Sequence, residues 1–291
     1  MASGELTPVA ADRRLRAELR RARERVGLTQ KAVAEALDWS TSKVIRLESG
    51  AVGISITDLK ALLLHYGITD PGEVDGMVEL ARLTKQSAWW NEYRDLDKTG
   101  DFLKFLGLEA SSVRIRQFQG LVVPGLLQSP AYAKALFATG ETEDRVRQRA
   151  IEVRLKRQQL VLDGHVELIA ILDESVLYRN PRSEAVLLDQ LRHLRRMSEL
   201  VNVTIQVIPF SVVLHKGMKG SFAVFELSEE LNDYALLLEH PYRDVLVPDT
   251  SDEIREFVDI FFELERIALP EAETRALVDA RIKELEGQLE G

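Results

Sequence analysis

Thr41, Ser42, Ile45 and Arg46 fall in a short stretch, Thr41–Ser49, that reads as a helix. Arg46 follows Ser42 by one turn and Ile45 follows Thr41 by one turn, so the four share a surface. Two hydroxyls, an aliphatic side chain and a guanidinium form no acid–base pair and no activated nucleophile. Their chemistry is recognition. A guanidinium fork grips paired acceptors, the hydroxyls donate or accept single hydrogen bonds, and the aliphatic group covers a methyl.

Elsewhere the chain offers weaker candidates. The loop His215-Lys216-Gly217-Met218-Lys219-Gly220 brings glycines and lysines together, as an anion cradle does, but without the spacing of a phosphate-binding P-loop. A tight solvated connection into the next strand accounts for it better. Asp173 and Glu174 close a predicted strand, where sites gather, and helix capping explains them equally well. Asp189 and His193 share a helix face, but two residues do not make a metal site. The chain has five histidines and no cysteine, which excludes disulfides and thiolate-held metals. No nucleophile elbow or dinucleotide fingerprint occurs. The expectation is no enzyme, no cofactor and no metal.

The elements around Arg46 are written in capping residues. Thr29 caps a helix Gln30–Leu37, with Leu28 and Val33 as its hydrophobic staple, and Ser40 caps Thr41–Ser49, with Trp39 against Val44. Ser55 with Asp58, and Asp70 ahead of Pro71, start two more helices, while Gly50 and Gly67 end two. The first two helices are short and nearly contiguous, so they cross steeply. Ala34 is the small residue at the crossing, and Val33, Leu37, Val44 and Leu47 form the seam. An amphipathic helix Arg13–Val26 precedes them, turning Leu15, Leu19, Ala22 and Val26 inward. Its arginines read either as a solvated face or as backbone contacts. The pattern is a helix-turn-helix with supporting helices.

The segment LTQKAVAEALDWSTSKVIRLESG resembles the phage-repressor-type (xenobiotic-response-element, lambda-repressor-like) helix-turn-helix family over roughly Arg13 to Gly67. Gln30, Ala34, Leu37, Val44, Leu47 and Glu48 carry the match. Asp38 replaces the usual turn glycine, and aspartate tolerates the left-handed conformation better than most residues. Trp39 is larger than the usual aliphatic residue. The resemblance implies double-stranded DNA as partner, with the second helix entering the major groove by its N-terminal end. Arg46 then meets guanine O6 and N7, Ile45 a thymine methyl, Thr41 and Ser42 bases or phosphates, and Lys43 a phosphate. Gln30 implies a contact to a phosphate oxygen. With Lys31 and Ser40, the candidate contacts are Gln30, Lys31, Ser40, Thr41, Ser42, Lys43, Ile45 and Arg46. The resemblance also implies that Arg23 and Glu48 form a structural ion pair. Were the module a protein-binding fold instead, Thr41, Ser42 and Arg46 would be inert.

Charge supports this division. Eleven basic and eight acidic residues lie between Met1 and Tyr66, about +3 in a chain whose formal net charge is −9, so the remainder is strongly acidic. At 291 residues the chain exceeds one helical module, and a division into 1–85 and 86–291 is expected. Helix continues over Glu73–Tyr93. Trp89 and Trp90 belong either to its core or to a domain or dimer interface. Beyond Asp101, helices Glu141–Leu162, Ser183–Leu200, Ser251–Ile267 and Ala272–Leu289 alternate with four strands. The strands are Val166–Leu172, Val203–Ile208, Ser221–Leu227 and Tyr234–Glu239, which suggests an α+β domain around a small mixed sheet.

The segments QFQGLVVPGLLQSPAYAKALF, ELIAILDESVLYR, VTIQVIPF and HKGMKGSFAVFEL, with the strand before Glu239-His240, resemble the C-terminal domain of a group of actinobacterial regulators, over roughly Phe105 to Leu269. Some members are antitoxin-like and act with a small partner protein from a neighbouring gene. A homodimer is expected, because one module reads few base pairs. No apolar run approaches the roughly 20 residues of a membrane span, and the N-terminus lacks the apolar core of a secretory signal, so a cytoplasmic location is expected.

Overall fold

A computed structural model describes residues 6–97, 100–138, 143–228, 233–240, 243–247 and 251–290. The chain forms two compact units, Met1–Asn91 and Glu92–Gly291.

The first unit is all helical: α1 (Pro8–Arg25), α2 (Gln30–Ala36), α3 (Thr41–Ser49), α4 (Ile56–His65) and α5 (Pro71–Leu83). Each start has its cap. Thr7, Thr29, Ser40, Ser55 and Asp70 accept the backbone N–H of Ala10, Ala32, Lys43, Asp58 and Glu73 respectively. These bonds satisfy donors that a helix start otherwise leaves without partners. Thr7 with Pro8 at the first helical position starts α1 five residues before the expected Arg13. Leu15, Leu19 and Ala22 of α1 close over Val33, Ala34, Val44, Leu47, Leu59 and Leu62. The expected continuous helix to Tyr93 stops at Leu83, and Trp89–Leu96 is a short 3-10 stretch instead. Within it Trp90 is buried and meets Trp89 edge to face at 5.6 Å.

The second unit holds a six-stranded sheet and six helices among the described residues: α6 (Asp101–Ser111), β1 (Arg114–Gln119), α7 (Pro130–Phe137), α8 (Asp144–Leu162), β2 (Glu167–Asp173), α9 (Glu184–Met197), β3 (Val203–Ile208), β4 (Phe222–Glu226), β5 (Tyr234–Leu238), β6 (Val245–Val247), α10 (Glu253–Ile267) and α11 (Glu271–Glu290). The strand order is β3-β2-β1-β4-β5-β6. β1, β2 and β3 run parallel, and β4, β5 and β6 continue antiparallel. One face carries Phe118, Ile171, Phe222, Val224 and Leu236 against Ile254, Val258, Phe261 and Leu264 of α10.

The central strand β1, RIRQFQ, is absent from the four strands expected from sequence, as are β6, α6 and α7. Its charges are neutralised by distant partners. Arg114 lies in register with Glu167 and Glu226 and pairs with both at 2.7 Å. Arg116 pairs with Glu226 at 2.7 Å and is buried. Opposite charges directly across strands stabilise the pairing and fix its register.

Candidate nucleic-acid interface

α2 and α3 are joined by only four residues, Leu37 to Ser40. Leu37 is the C-cap of α2, one residue short of the expected helix end. Asp38 takes φ 52, the only positive φ outside glycine among the described residues. Asp38→Gly is therefore expected to keep the fold and to raise stability by up to about 1 kcal/mol, since glycine avoids the left-handed penalty. Thermal unfolding checks this; a lower melting temperature would show that the aspartate contributes something glycine lacks. Ala34, 1% exposed, lies at the helix crossing, and its carbonyl accepts the Trp39 N–H at 2.8 Å.

α3 turns Val44, Leu47 and Glu48 inward. Thr41, Ser42, Ile45, Arg46 and Ser49 are left exposed on the opposite surface. Ile45, at 45% exposed, is a large apolar side chain with no core to fill. Arg46 donates Nε to the Ser42 carbonyl at 3.2 Å. That bond holds the stem along the helix, and both terminal nitrogens have no protein partner among the described residues. A guanidinium presented this way offers its fork outward.

The remaining candidates are divided. Lys31 is exposed and has only a loose 3.8 Å approach to Glu35. Ser40 is used as the cap of α3. Lys43 donates to Asp58 Oδ1 at 3.1 Å and sits 3.7 Å from the centroid of the Trp39 ring. Its charge is thus already engaged by a carboxylate and an aromatic face, which also accounts for the large residue at position 39. Asp58, expected to complete a capping pair with Ser55, gives its N–H to Ser55 and its carboxylate to Lys43.

Behind α3 lies a charged knot. Arg23 donates Nε to Glu48 Oε1 at 2.6 Å and Nη2 to Glu48 Oε2 at 3.0 Å, with a further bond to the Leu28 carbonyl at 2.9 Å. Gln30 donates to Glu48 Oε2 at 2.8 Å. The hydrogen bond from Glu48 raises the Arg23 pKa further. Burial first, then the Glu48 charge, pushes the Tyr66 hydroxyl up to about 12. Arg20 donates to the Glu48 carbonyl at 3.1 Å, at the C-terminal end of α3, where a cation complements the helix dipole. Gly50 follows with φ 72, and a Cβ there would meet the Arg16 guanidinium at 2.6 Å. Arg16, Arg20 and Arg23 thus bind α1 to the end of α3, a third role beside solvated face and backbone contact. Their spacing on one stripe of α1 was the available signal.

The other sequence candidates serve structure. Asp173 accepts the Ser175 N–H at 2.9 Å as a cap, and its Oδ2 lies 3.4 Å from His215 Nε2. Glu174 accepts the Phe210 N–H at 2.6 Å. Lys216–Lys219 is a 3-10 turn whose Gly217 lies against Phe118; a Cβ there would come within 2.5 Å of the ring. Asp189 accepts the Ser129 hydroxyl at 2.6 Å. Burial lowers the His193 pKa. No helix among the described residues is long and apolar enough to cross a membrane.

The chain matches a helix-turn-helix domain over residues 14–75 and a domain of unknown function, DUF5753, over residues 102–280. Comparison with curated proteins and with solved structures finds no match.

Proposed function

This chain belongs to the DUF5753 family and carries a helix-turn-helix domain ahead of that region, and from this premise we propose that it is a sequence-specific, double-stranded DNA-binding transcriptional regulator acting in the cytoplasm as a homodimer. The single observation that carries the proposal is the outward surface of α3, with Thr41, Ser42, Ile45 and Arg46 exposed around an unpaired guanidinium fork. Hydroxyls, a methyl-seeking side chain and a bidentate donor suit base edges in the major groove. The match to the phage-repressor-type pattern supports the same docking. Two-fold pairing doubles the length of site read.

Lys43 contributes little to phosphate binding in this reading, because Asp58 already holds it. DNA affinity is expected to fall steeply with salt, and Lys43→Ala should leave the slope of log affinity against log salt nearly unchanged. An exposed phosphate contact such as Lys31 should reduce that slope by about one when removed. Titration of a labelled operator over a range of salt concentrations measures both. A full unit lost with Lys43→Ala would place that lysine on the backbone after all.

A second reading, antitoxin-like sequestration of a small partner protein, draws on a different observation. Phe210, Val213, Leu214 and Met218 are 59, 78, 81 and 64% exposed along one short connection after β3. Exposed apolar groups in such density suit a protein partner. Co-expression with the neighbouring gene product and sizing separates the readings; a stable stoichiometric complex favours the second.

A further inference from the structure

β1 buries polar side chains on the sheet face away from α10. Gln117 and Gln119 lie there at 8 and 2% exposed, in place of the Leu168, Ala170 and Leu172 that line the same face of β2. Both donate to one carboxylate oxygen, Glu239 Oε1, at 3.2 and 2.5 Å. Glu239 follows β5, and neither of its oxygens meets a cationic side chain. The Oε1 of Gln119 is buried without any hydrogen-bond partner.

From α8, Arg154 enters the electrostatic range of Glu239 but forms no ion pair with it. Arg154 Nη1 donates to Gln128 Oε1 at 2.6 Å, and the guanidinium carbon lies 5.2 Å from the centre of Phe137. Its head lies across Gly125, where a Cβ would stand 2.9 Å from Nη1. One turn away, Arg157 shows how this helix treats an arginine that serves only the fold. It is clamped to Glu109 by two bonds of 2.7 and 2.6 Å, and both residues are buried. Arg154 has no such carboxylate.

Burial pulls the Arg154 guanidinium down to about 10. Burial, followed by the repulsion of Asp244, pushes Glu239 up. Yet Arg154 and Glu239 both remain half-buried, still touched by solvent. Groups surrounded by protein deeply enough to shift, but still wetted, line a concavity. An uncompensated cation and an uncompensated carboxylate facing one concavity destabilise the empty fold, because each is desolvated without its counter-charge. Such cost is characteristic of sites held open for a ligand.

We propose that Arg154, Gln128, Gln119 and Glu239 form a binding site for a small zwitterionic metabolite, whose carboxylate meets Arg154 and whose ammonium meets Glu239. The orphaned Gln119 oxygen accepts from the same ammonium. Arg154 is suited to the role because its planar fork takes a carboxylate in two bonds. The proposal deepens the reading of the larger unit as the part that receives a signal, and rests on DNA binding only for its consequence.

The test uses the full-length chain and thermal unfolding. The probes are glycine, β-alanine, 4-aminobutyrate, the twenty amino acids, acetate, ethanolamine and inorganic phosphate. At least one amine-carboxylate is expected to raise the melting temperature saturably, and the rise should vanish in both Arg154→Gln and Glu239→Gln. A rise given by phosphate or acetate that survives in Glu239→Gln would overturn the zwitterion assignment in favour of a simple anion site. No rise with any probe, or one unchanged in Arg154→Gln, would overturn the site.

A ligand-free control guards against variants that merely unfold. Glu239→Gln should hold or raise the melting temperature at about pH 7.5 and have no effect near pH 4. Its folded carboxyl is raised, so the native carboxyl disfavours folding above the unfolded pKa and ceases to do so once both states are protonated. Arg157→Met, which strands Glu109, should instead lower the melting temperature by several degrees. A fall of similar size in Glu239→Gln at pH 7.5 would mark Glu239 as structural and contradict the proposal. Operator binding by the ligand-free variants should stay at the wild-type level. Loss of the ligand site therefore leaves the DNA-binding proposal standing, and the converse holds.

Discussion

Arg46→Ala is expected to weaken binding to the operator by about 5- to 150-fold, the equivalent of about 1–3 kcal/mol for one bidentate guanine contact in each half-site. Binding to random duplex should fall far less, by the loss of one charge. The reason is geometric. The Arg46 stem is tethered to the Ser42 carbonyl at 3.2 Å while its terminal nitrogens have no protein partner, so truncation removes a donor pair without disturbing the core. Val44, Leu47 and Glu48 keep α3 seated. Sequence preference should relax at one base position in each half-site and hold elsewhere. Equal affinities of wild type and variant for operator and for random DNA would show that α3 does not read bases through this residue.

Glu48→Ala is expected to act on the fold. Its carboxylate, 8% exposed, receives Arg23 by two bonds and Gln30 by one. Removing it strands a guanidinium that is only 12% exposed. Breaking a buried pair from one side costs about 3 kcal/mol or more, because the surviving charge stays desolvated. In a unit of this size that lowers the melting temperature by roughly 10 °C or more. Glu48→Gln should fall between, and the double variant Arg23→Met/Glu48→Leu should recover part of the loss. Calorimetry, which resolves the transition of the helical unit, supplies the measurement. A Glu48→Ala protein melting within about 2 °C of wild type would deny the knot its structural role.

What could be read from sequence follows the range of the interaction. Caps act over three residues, so Thr29, Ser40, Ser55 and Asp70 announced α2 to α5. The left-handed turn at Asp38 is likewise local. Lys43 was misread as free for phosphate because Asp58, its partner, belongs to the next helix. β1 was invisible for the same reason on a larger scale. Arg114 and Arg116 look solvent-bound until Glu167 and Glu226 arrive 53 and 110 to 112 residues away. Polar residues on both faces of a strand defeat alternation as a signal. Gln117 and Gln119 were hidden with it, and Arg154 looks like any other charge of α8 until the fold withholds a counter-ion.

The division of labour between the units follows from these contacts. The helical unit spends its arginines Arg16, Arg20 and Arg23 on holding α1 to α3. Arg46 and Lys31 remain exposed for a ligand outside the chain. The larger unit pairs most of its buried charges and leaves Arg154 and Glu239 unpaired.

Selection of duplexes from a fully randomised library by the full-length chain, sequenced after several rounds, measures the central claim most directly. A two-fold symmetric motif should emerge, with half-sites one helical turn of about 10 base pairs apart, or a multiple of it. The same selection with Arg46→Ala should lose information at one position in each half. Recovery of no enriched motif, at a salt concentration where the chain still retains DNA, would contradict sequence-specific binding by α3.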